Sequence, residues 1–362
     1  MADVLTKYDN WLGADDTVAA LVIREYLVPV EGADGVIFPA TFAAAEDKSK
    51  FPGGYNIDTF SDGKNVCLID SVGSQSNRIE PIFAEPRYSE LVPQVVVRAG
   101  EKRINLLQAG HRAGDALVRC SGLQNELQNA FKAVQNGNAE PLAKIAPTSL
   151  VFGVWDSRDT QAKLPRLIAS TIRAFNVRKL TRSAQFVPAT EYTKEGLLQP
   201  TDDKKLGAAY AERGFVHVPA SGSHGGVIAD GGIRREATLS LAALRLLRSE
   251  KDPARTLALR RYIFGLALTA LTYPAGSYLR QGCNLVADPD KPRDFLEVHI
   301  DGKRMPANIA HADALTFASA AAKGFGVGKD RTVDFDTKLA ARDVGGNEVA
   351  DESAAKKNGK RK

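Results

Sequence analysis

Short apolar runs alternate with polar and glycine-containing segments along most of this chain. Runs rich in β-branched or aromatic residues predict strands at 35–38, 66–69, 94–98, 149–155 and 295–300. Apolar residues at helical spacing predict helices at about 123–135, 165–175, 234–248 and 253–272. Because these elements are interleaved without a regular βαβ rhythm, the pattern favours an α+β fold in which helices pack on one side of a sheet.

The strand predicted at 66–69 leads into the run Asp70-Ser-Val-Gly-Ser-Gln-Ser-Asn-Arg-Ile-Glu80. Asp70 is suited to cap a helix over about 71–80, which Pro81 would end. Helical spacing places Val72 and Ile79 on one face and four polar side chains on another: Ser71, Ser74, Gln75 and Arg78. That polar face suits phosphate and ribose oxygens, although the same pattern is typical of an ordinary capped amphipathic helix.

Two further segments depart from regular helical periodicity. The mixed pattern from 81 to 147 indicates an inserted subdomain, and two strand-like runs at 184–188 and 214–218 predict a protruding hairpin. The glycine-rich stretch that follows contains His224. Its small neighbours would let a backbone or base approach closely, and they fit a flexible surface loop equally well.

Composition is that of an ordinary globular protein, with 362 residues, 44% hydrophobic residues, 25% charged residues and a net charge of +5. Two stretches contain basic residues and no acid: 160–190 and 253–287. Like charges in such a stretch repel each other unless an anion neutralises them, which favours a phosphate-backbone partner. Pairing with acids elsewhere in the fold is the alternative. The basic residues are Lys163, Arg166, Arg173, Arg178, Lys179 and Arg182 in the first stretch, and Arg255, Arg260, Arg261 and Arg280 in the second.

Several protein classes are disfavoured. The three cysteines are widely spaced and odd in number, so they predict neither a zinc site nor a disulfide framework, and they fit a reducing compartment. The first residues do not resemble a secretory signal, and the most apolar segment, 257–271, contains two arginines and is too short to span a bilayer. We therefore expect a cytoplasmic protein without a membrane partner.

No motif for a catalytic centre, metal or cofactor is present, and the two carboxylates in 155–159 are more typical of a capped turn.

The run 70–80 resembles a known family when it is taken together with five other segments. They are Gly35-Val-Ile-Phe-Pro-Ala40, Val154-Trp-Asp-Ser-Arg158, Arg182-Ser-Ala-Gln185, Gly225-Gly-Val227 and Ile233-Arg-Arg-Glu-Ala-Thr-Leu239. The chain resembles the Csb-type Cas-seven backbone subunit of type I-G (formerly I-U) CRISPR Cascade effector complexes, in the RAMP superfamily. The resemblance covers about 20–300. Ser76 stands where family members commonly have Ala.

The resemblance implies an RRM-like, ferredoxin-like RAMP palm with a helical finger insertion and a β-hairpin thumb. The palm would comprise 1–83, 148–175 and 234–330. The finger would lie at 84–147 and the thumb at 176–233, where the pattern already indicates an insertion and a hairpin. A polar, basic and flexible tail would occupy 331–362.

The resemblance also implies a non-catalytic scaffold that polymerises along a CRISPR RNA and presents it for pairing with target DNA in antiviral defence. Its partners would be copies of itself, other Cascade subunits and a separate helicase-nuclease, with no cofactor. The residues predicted to bind RNA, from the resemblance and from the basic stretches, are Ser71, Ser74, Gln75, Asn77, Arg78, Arg158, Lys163, Arg166, Arg173, Arg178, Lys179, Arg182, His224, Gly225, Gly226, Arg234 and Arg235.

Two alternatives remain open. The first is a RAMP ribonuclease that cuts CRISPR precursor or target RNA with His224 or an aspartate of the thumb. The second is a metabolic enzyme that binds a phosphorylated small molecule on the helix at Ser71.

Overall fold

The computed structural model of this chain describes residues 2–250, 252–274 and 276–345. Over these ranges it is a mixed α+β structure built on one large antiparallel sheet, as predicted. The strands are β1 (Val18–Pro29), β2 (Thr41–Phe42), β3 (Gly54–Tyr55), β4 (Ile57–Thr59), β5 (Asn65–Asp70), β6 (Val95–Ala99), β7 (Lys102–Asn105), β8 (Val154–Trp155), β9 (Lys163–Leu164), β10 (Ile168–Phe175), β11 (Val177–Phe186), β12 (Val218–Ala229), β13 (Ile233–Ser240), β14 (Tyr278–Arg280), β15 (Cys283–Ala287), β16 (Asp294–His299), β17 (Arg304–Pro306) and β18 (Arg331–Asp334). The α-helices are α1 (Ala2–Thr6), α2 (Asp9–Leu12), α3 (Val72–Ile79), α4 (Ala116–Arg119), α5 (Gln124–Gln135), α6 (Glu140–Ile145), α7 (Pro147–Phe152), α8 (Lys204–Glu212), α9 (Leu241–Leu244), α10 (Pro253–Thr272), α11 (His311–Phe325) and α12 (Thr337–Asp343).

The large sheet is organised around β1. Its strand order is β14-β15-β1-β13-β10-β5-β4, and β16 and β17 continue from the β15 side of β1. One edge of β1 pairs with β13, and the other pairs with β16 and then β15. Strand β5 leads directly into α3 and pairs with β10. Both strands therefore belong to the same sheet as the central strand β1.

Two predicted helices are strands in the structure. The segments 165–175 and 234–248 contain β10 and β13, which pair with each other, and only the short helix α9 follows β13. Along β13, buried and half-buried residues alternate at every position from Ile233 to Ser240. This period of two defines a strand with one face in the core, whereas the apolar residues alone also fit helical spacing.

The predicted strand at 149–155 is also wrong for most of its length. Helix α7 occupies Pro147–Phe152, and only Val154–Trp155 is extended. Pro147 suits the first turn of a helix, and Gly153, with φ of 78°, ends it. All six residues of α7 are buried, so their apolar run has no amphipathic period from which a helix could be recognised.

One face of the sheet forms the main hydrophobic core together with the helices. The cross-strand partners Leu21, Leu239 and Ile168 lie on this face and are buried. The predicted long helix is confirmed as α10, which is continuously buried from Tyr262 to Thr272. Helix α11 crosses α10 so closely that a Cβ at Gly265 would lie 2.8 Å from the Cα of Ala318. The helical layer is thus held rigidly behind the sheet.

The predicted hairpin is present as a ribbon of β11 and β12, and α8 lies in the long connection between them. Beyond Val177, all but one residue of β11 are exposed, so the ribbon stands away from the main core. A second, smaller hydrophobic cluster, which includes Val177, Val227 and Cys67, lies at the base of the ribbon.

The segment from 331 onwards differs from the expected flexible tail over its described part. Strand β18 pairs in parallel with β6, and α12 follows it. Arg98 donates two hydrogen bonds to Asp334, at 2.7 and 2.8 Å, across this pairing. The prediction of a flexible tail therefore needs correction at 331–343. The backbone of β18 pairs with the edge of β6, and α12 is a regular helix. The rest of the predicted tail, 346–362, lies outside the described residues.

Candidate nucleic-acid interface

Helix α3 begins where strand β5 ends, on the run that the sequence singles out. The Ser71 hydroxyl accepts a hydrogen bond from the backbone N–H of Ser74 at 3.2 Å, which makes Ser71 the N-cap. The helix ends at Ile79, and Pro81 follows in a 3₁₀ turn (Glu80–Ala84). The predicted strand–helix unit is confirmed. The predicted cap is wrong by one residue, because the Asp70 side chain has other partners.

The carboxylate of Asp70 is buried beneath two arginines. It accepts hydrogen bonds from Gln75 Nε2 at 2.7 Å, from Arg78 Nε at 3.0 Å and from Arg280 Nη2 at 3.0 Å. Two guanidinium groups thus share one carboxylate, which leaves one positive charge in excess. Arg280 comes from β14 and was not predicted to contact this site. Its place in the acid-free stretch 253–287 was the signal that could have identified it.

The solvent side of this cluster is rich in hydrogen-bond donors. The Arg78 and Arg280 side chains keep 38% and 25% of their surface exposed, although Asp70 fixes one edge of each. The Nη1 of Arg280, by contrast, is buried and has no hydrogen-bond partner among the described residues. Asn77 is exposed, and Ser71 is half-buried beside Ser74. Arginines that are oriented in this way, next to hydroxyl groups, suit phosphate and ribose oxygens.

Two residues predicted to contact RNA instead form a buried network beneath α3. Gln75 is 2% exposed and Arg235 is 1% exposed. Ser170 joins them: its hydroxyl donates to Gln75 Oε1 at 2.9 Å and accepts from Arg235 Nε at 3.1 Å. Arg235 Nη1 also donates to Glu25 at 2.6 Å. The network therefore ties α3 to three strands, and these two contact predictions need correction. Gln75 is buried because it lies three positions after Val72 on the core face.

Two other predicted arginines lie on the opposite face of the sheet. Arg173 and Arg234 are directly opposite each other on β10 and β13, and both are half-buried. Arg173 donates to the Thr171 hydroxyl at 2.7 Å, and the Arg234 guanidinium lies 4.0 Å from the ring centroid of Phe175. Strand alternation explains why Arg234 and its neighbour Arg235 face opposite sides. This sheet face therefore carries adjacent cations.

The basic residues of the ribbon are partly neutralised. Arg178 donates two hydrogen bonds to Asp230, at 2.7 and 3.0 Å, and these hold the pKa of that exposed carboxyl below its usual range. Lys179 and Arg182 are exposed on the same strand. The ribbon thus presents cations to solvent, while the acid that compensates Arg178 comes from the end of the partner strand β12.

His224 and its glycine neighbours are packed into the base of the ribbon. The His224 ring centroid lies 4.8 Å from that of Tyr55, and Tyr55 accepts a hydrogen bond from the Gly226 N–H at 3.0 Å. A Cβ at Gly225 would lie 2.7 Å from the backbone of Thr181, and Gly226 has φ of 97°. The flexible loop considered from the sequence is therefore wrong. The glycines permit a close approach between parts of this chain.

The remaining predicted residues lie in a cleft of about 1170 Å³ next to the hairpin of β8 and β9. Arg158, Lys163 and Arg166 line it, and all three are exposed. Arg158 lies in the turn between β8 and β9, Lys163 lies in β9, and Arg166 follows β9. The structure thus distributes the predicted RNA-binding residues over four places: helix α3, the open sheet face, the ribbon and this cleft.

A buried ion pair connects α3 with the cleft. Glu80, just beyond the helix, accepts a hydrogen bond from Arg112 Nε at 2.6 Å, and both side chains are at most 5% exposed. Burial raises the pKa of Glu80 to about 7, since the nearby Arg112 charge only partly offsets the loss of water. Arg112 has φ of 55°, an uncommon backbone conformation for a non-glycine residue, and it also lines the cleft.

An α+β protein that exposes cations beside a helix, on a ribbon and in a cleft belongs to a class suited to bind a polyanion. Residues 21–179 match the model of a family described as CRISPR-associated protein GSU0053 (Cas_GSU0053). This match indicates a CRISPR-associated protein, with a role in CRISPR defence and in a CRISPR complex. No curated protein matches the chain. None of the helices in the described ranges is both long and apolar enough to cross a membrane.

Proposed function

We propose that this protein is the CRISPR RNA-binding backbone subunit of a cytoplasmic type I-G effector complex, a member of the RAMP superfamily. In this proposal the large sheet is the RRM-like palm, 84–147 is the finger and the β11–β12 ribbon is the thumb. Copies polymerise along the guide RNA and leave its bases free to pair with target DNA. The protein itself is a non-catalytic scaffold that works with other Cascade subunits and a separate helicase-nuclease.

The observation that carries the proposal is the pair of arginines on Asp70. A buried carboxylate holds Arg78 and Arg280 at defined positions, and both side chains stay partly exposed to solvent. Ser71 and Ser74 lie in the first turn of the helix that carries Arg78. Phosphate and ribose oxygens match these donors whatever the base. A subunit that must coat any spacer requires such contacts, because a guide-based system leaves sequence recognition to base pairing.

The family match supports the same proposal independently of this geometry. It includes α3, β5 and β10, and it extends into the start of the ribbon. The cationic groups near α3 and on the ribbon come from different parts of the chain, yet each lies on the surface of one fold. A polyanion that follows several such patches gains affinity from counterion release at each phosphate.

The experiment is purification of the full chain, measurement of its absorbance ratio and sequencing of any bound RNA. We expect co-purified CRISPR RNA, and binding to single-stranded RNA with a log–log salt slope of about −3 to −4 if about four to six phosphates are neutralised. Cleavage of labelled precursor or target RNA by the pure protein would instead identify a ribonuclease. Protein that is free of nucleic acid and does not bind single-stranded RNA would contradict the scaffold and favour a small-molecule phosphate site.

A further inference from the structure

The cleft beside β8 and β9 contains an excess of positive charge. Arg112 is hydrogen-bonded to Glu80, and Arg119 is paired with Asp343 at 2.5 Å. Three other cations line the same cleft: Arg158, Lys163 and Arg166. Within the described part of the chain, none of these three forms an ion pair with a carboxylate. The cleft therefore attracts an anion, because like charges collected in a concave surface focus the potential there.

The same cleft contains an exposed indole ring. Trp155 is 58% exposed, although it lies in a strand and its neighbour Val154 is buried. The Nζ of Lys163, its cross-strand partner, lies 5.6 Å from the ring centroid. Contacts to phosphate alone require no aromatic surface. An exposed indole beside unpaired cations is instead the combination that proteins use to bind single-stranded nucleic acid, with a base stacked on the ring and phosphates held by the cations.

We propose that this cleft binds an unpaired nucleotide of a single-stranded nucleic acid, which stacks its base on Trp155 and places the adjacent phosphate among Arg158, Lys163 and Arg166. The inference rests on the proposed function, because the cleft takes part of the same kind of polynucleotide. It assigns the cleft a different role from the Asp70 cluster, whose arginines offer donors for phosphate and ribose.

The cleft is connected to helix α3 through the interior of the fold. Helix α3 contains eight residues, so its two ends are about 12 Å apart. Glu80 follows the helix directly, and Arg112 reaches from this residue to the wall of the cleft. The end of α3 and the wall of the cleft are therefore joined by one buried ion pair.

Tryptophan fluorescence tests this subsite directly, because the chain has only two tryptophans, and the second, Trp11, stacks on Tyr8 at 5.2 Å. The full-length variant Trp11→Phe leaves Trp155 as the only indole. It is titrated at low salt with homopolymeric RNA, with DNA of equal length and with a strand of equal length that lacks bases. We expect base-containing strands to quench the fluorescence and the abasic strand to bind without quenching. Quenching by RNA alone assigns the guide, and quenching by DNA alone assigns a DNA strand; either supports the subsite.

Binding of the same strands to Trp155→Ala provides a second measurement in the presence of Trp11. We expect affinity for the base-containing strand to fall about fivefold or more, and affinity for the abasic strand to stay unchanged. Trp155→Phe should recover part of the loss, and Ile300→Ala, which removes a 73% exposed side chain outside the cleft, should change neither affinity.

Two results would overturn the inference. Equal affinity of the wild-type protein for base-containing and abasic strands, with unchanged Trp155 fluorescence, excludes stacking and leaves the proposed backbone function standing. Failure of every strand to bind, even at low salt, overturns both the subsite and the proposed function.

Discussion

Replacing Asp70 by Asn distinguishes an oriented arginine pair from a simple excess of charge. Asp70→Asn replaces a carboxylate that has no exposed surface and accepts three hydrogen bonds, at 2.7, 3.0 and 3.0 Å, by an amide with no charge and one acceptor oxygen. Hydrogen bonds to a charged group contribute about 1.5–3 kcal/mol each. Since Arg78 and Arg280 remain partly exposed and can recover hydration, we expect a net loss of about 2–3 kcal/mol in the free energy of unfolding.

The effect on RNA affinity has opposite signs under the two explanations. If Asp70 orients the guanidinium groups, the variant should bind single-stranded RNA about tenfold more weakly, or about 1.4 kcal/mol. If charge alone matters, the removal of one negative charge should strengthen binding. The assays are urea unfolding and titration of labelled RNA at fixed salt. Tighter binding by a folded Asp70→Asn protein would refute the proposed role of the arginine pair.

Asp334→Asn is the matched control for this substitution. Asp334 is also paired with an arginine through two hydrogen bonds, but its side chain is 68% exposed and it lies at the β6–β18 edge. The change in net charge is the same. We expect less than about 1 kcal/mol of destabilisation, as for exposed ion pairs, and RNA affinity that is unchanged or slightly higher.

Three further variants test other parts of the structure. Arg78→Ala should weaken RNA binding equally for different spacer sequences and reduce the salt slope by about 0.7; a loss limited to some spacers would contradict backbone binding. Burial raises the folded-state pKa of Glu80 to about 7, so the folded protein favours the protonated carboxyl group. The stability that this protonation contributes is fully present below the unfolded-state pKa of the group and is lost as pH rises to about 7. Urea unfolding should therefore show wild type losing about 3 kcal/mol relative to Glu80→Gln between pH 4.5 and 7, and parallel pH profiles would contradict this. Gly226→Ala should destabilise by about 2 kcal/mol or more because its Cβ would lie 2.5 Å from Val36, whereas Gly207→Ala, in open space on α8, should be neutral or stabilising in thermal unfolding.

Some of the fold can be predicted from local sequence because the signals are local. The apolar run before Asp70, the serines after it and Pro81 are adjacent in the chain, and they specify a strand, a helix start and a helix end. The pairing of β10 with β13 could not be found in this way. Their apolar residues fit a helical period as well as an alternating one, and the choice depends on hydrogen bonds between segments about 65 residues apart.

The candidate site shows the same limit at the level of single side chains. The sequence identifies Arg78 and the serines because they lie within one short run. It assigns Gln75 to the outer face because the residue is polar, but its hydrogen bonds to Asp70 and Ser170 make burial of the amide favourable. Arg280 lies 210 residues from Asp70, and no local pattern links the two.

The two acid-free basic stretches differ in how many of their cations form ion pairs with acids elsewhere in the fold. The cations that remain unpaired mark where an anion can bind. In 253–287, Arg255 pairs with Glu140 and Arg261 pairs with Asp9, so acids elsewhere in the fold compensate these two arginines, which was the alternative to phosphate binding. Arg260 donates instead to backbone carbonyls, including those of Leu247 and Leu12. Arg280 also has an acidic partner, but it shares that carboxylate with Arg78.

In 160–190, by contrast, Lys163 and Arg166 form no ion pair within the described ranges and share a cleft with Arg158. Charge along the chain therefore overestimates charge that is available to a ligand. After ion pairs in the fold are counted, the Asp70 cluster and the Trp155 cleft each keep an excess of positive charge. The arginine pair and the indole ring give these two places different chemistry. A polynucleotide that contacts both should have its backbone held at the first and one base stacked at the second. Arg78→Ala and Trp155→Ala should therefore differ in their response to an abasic strand: the first should weaken its binding and the second should not.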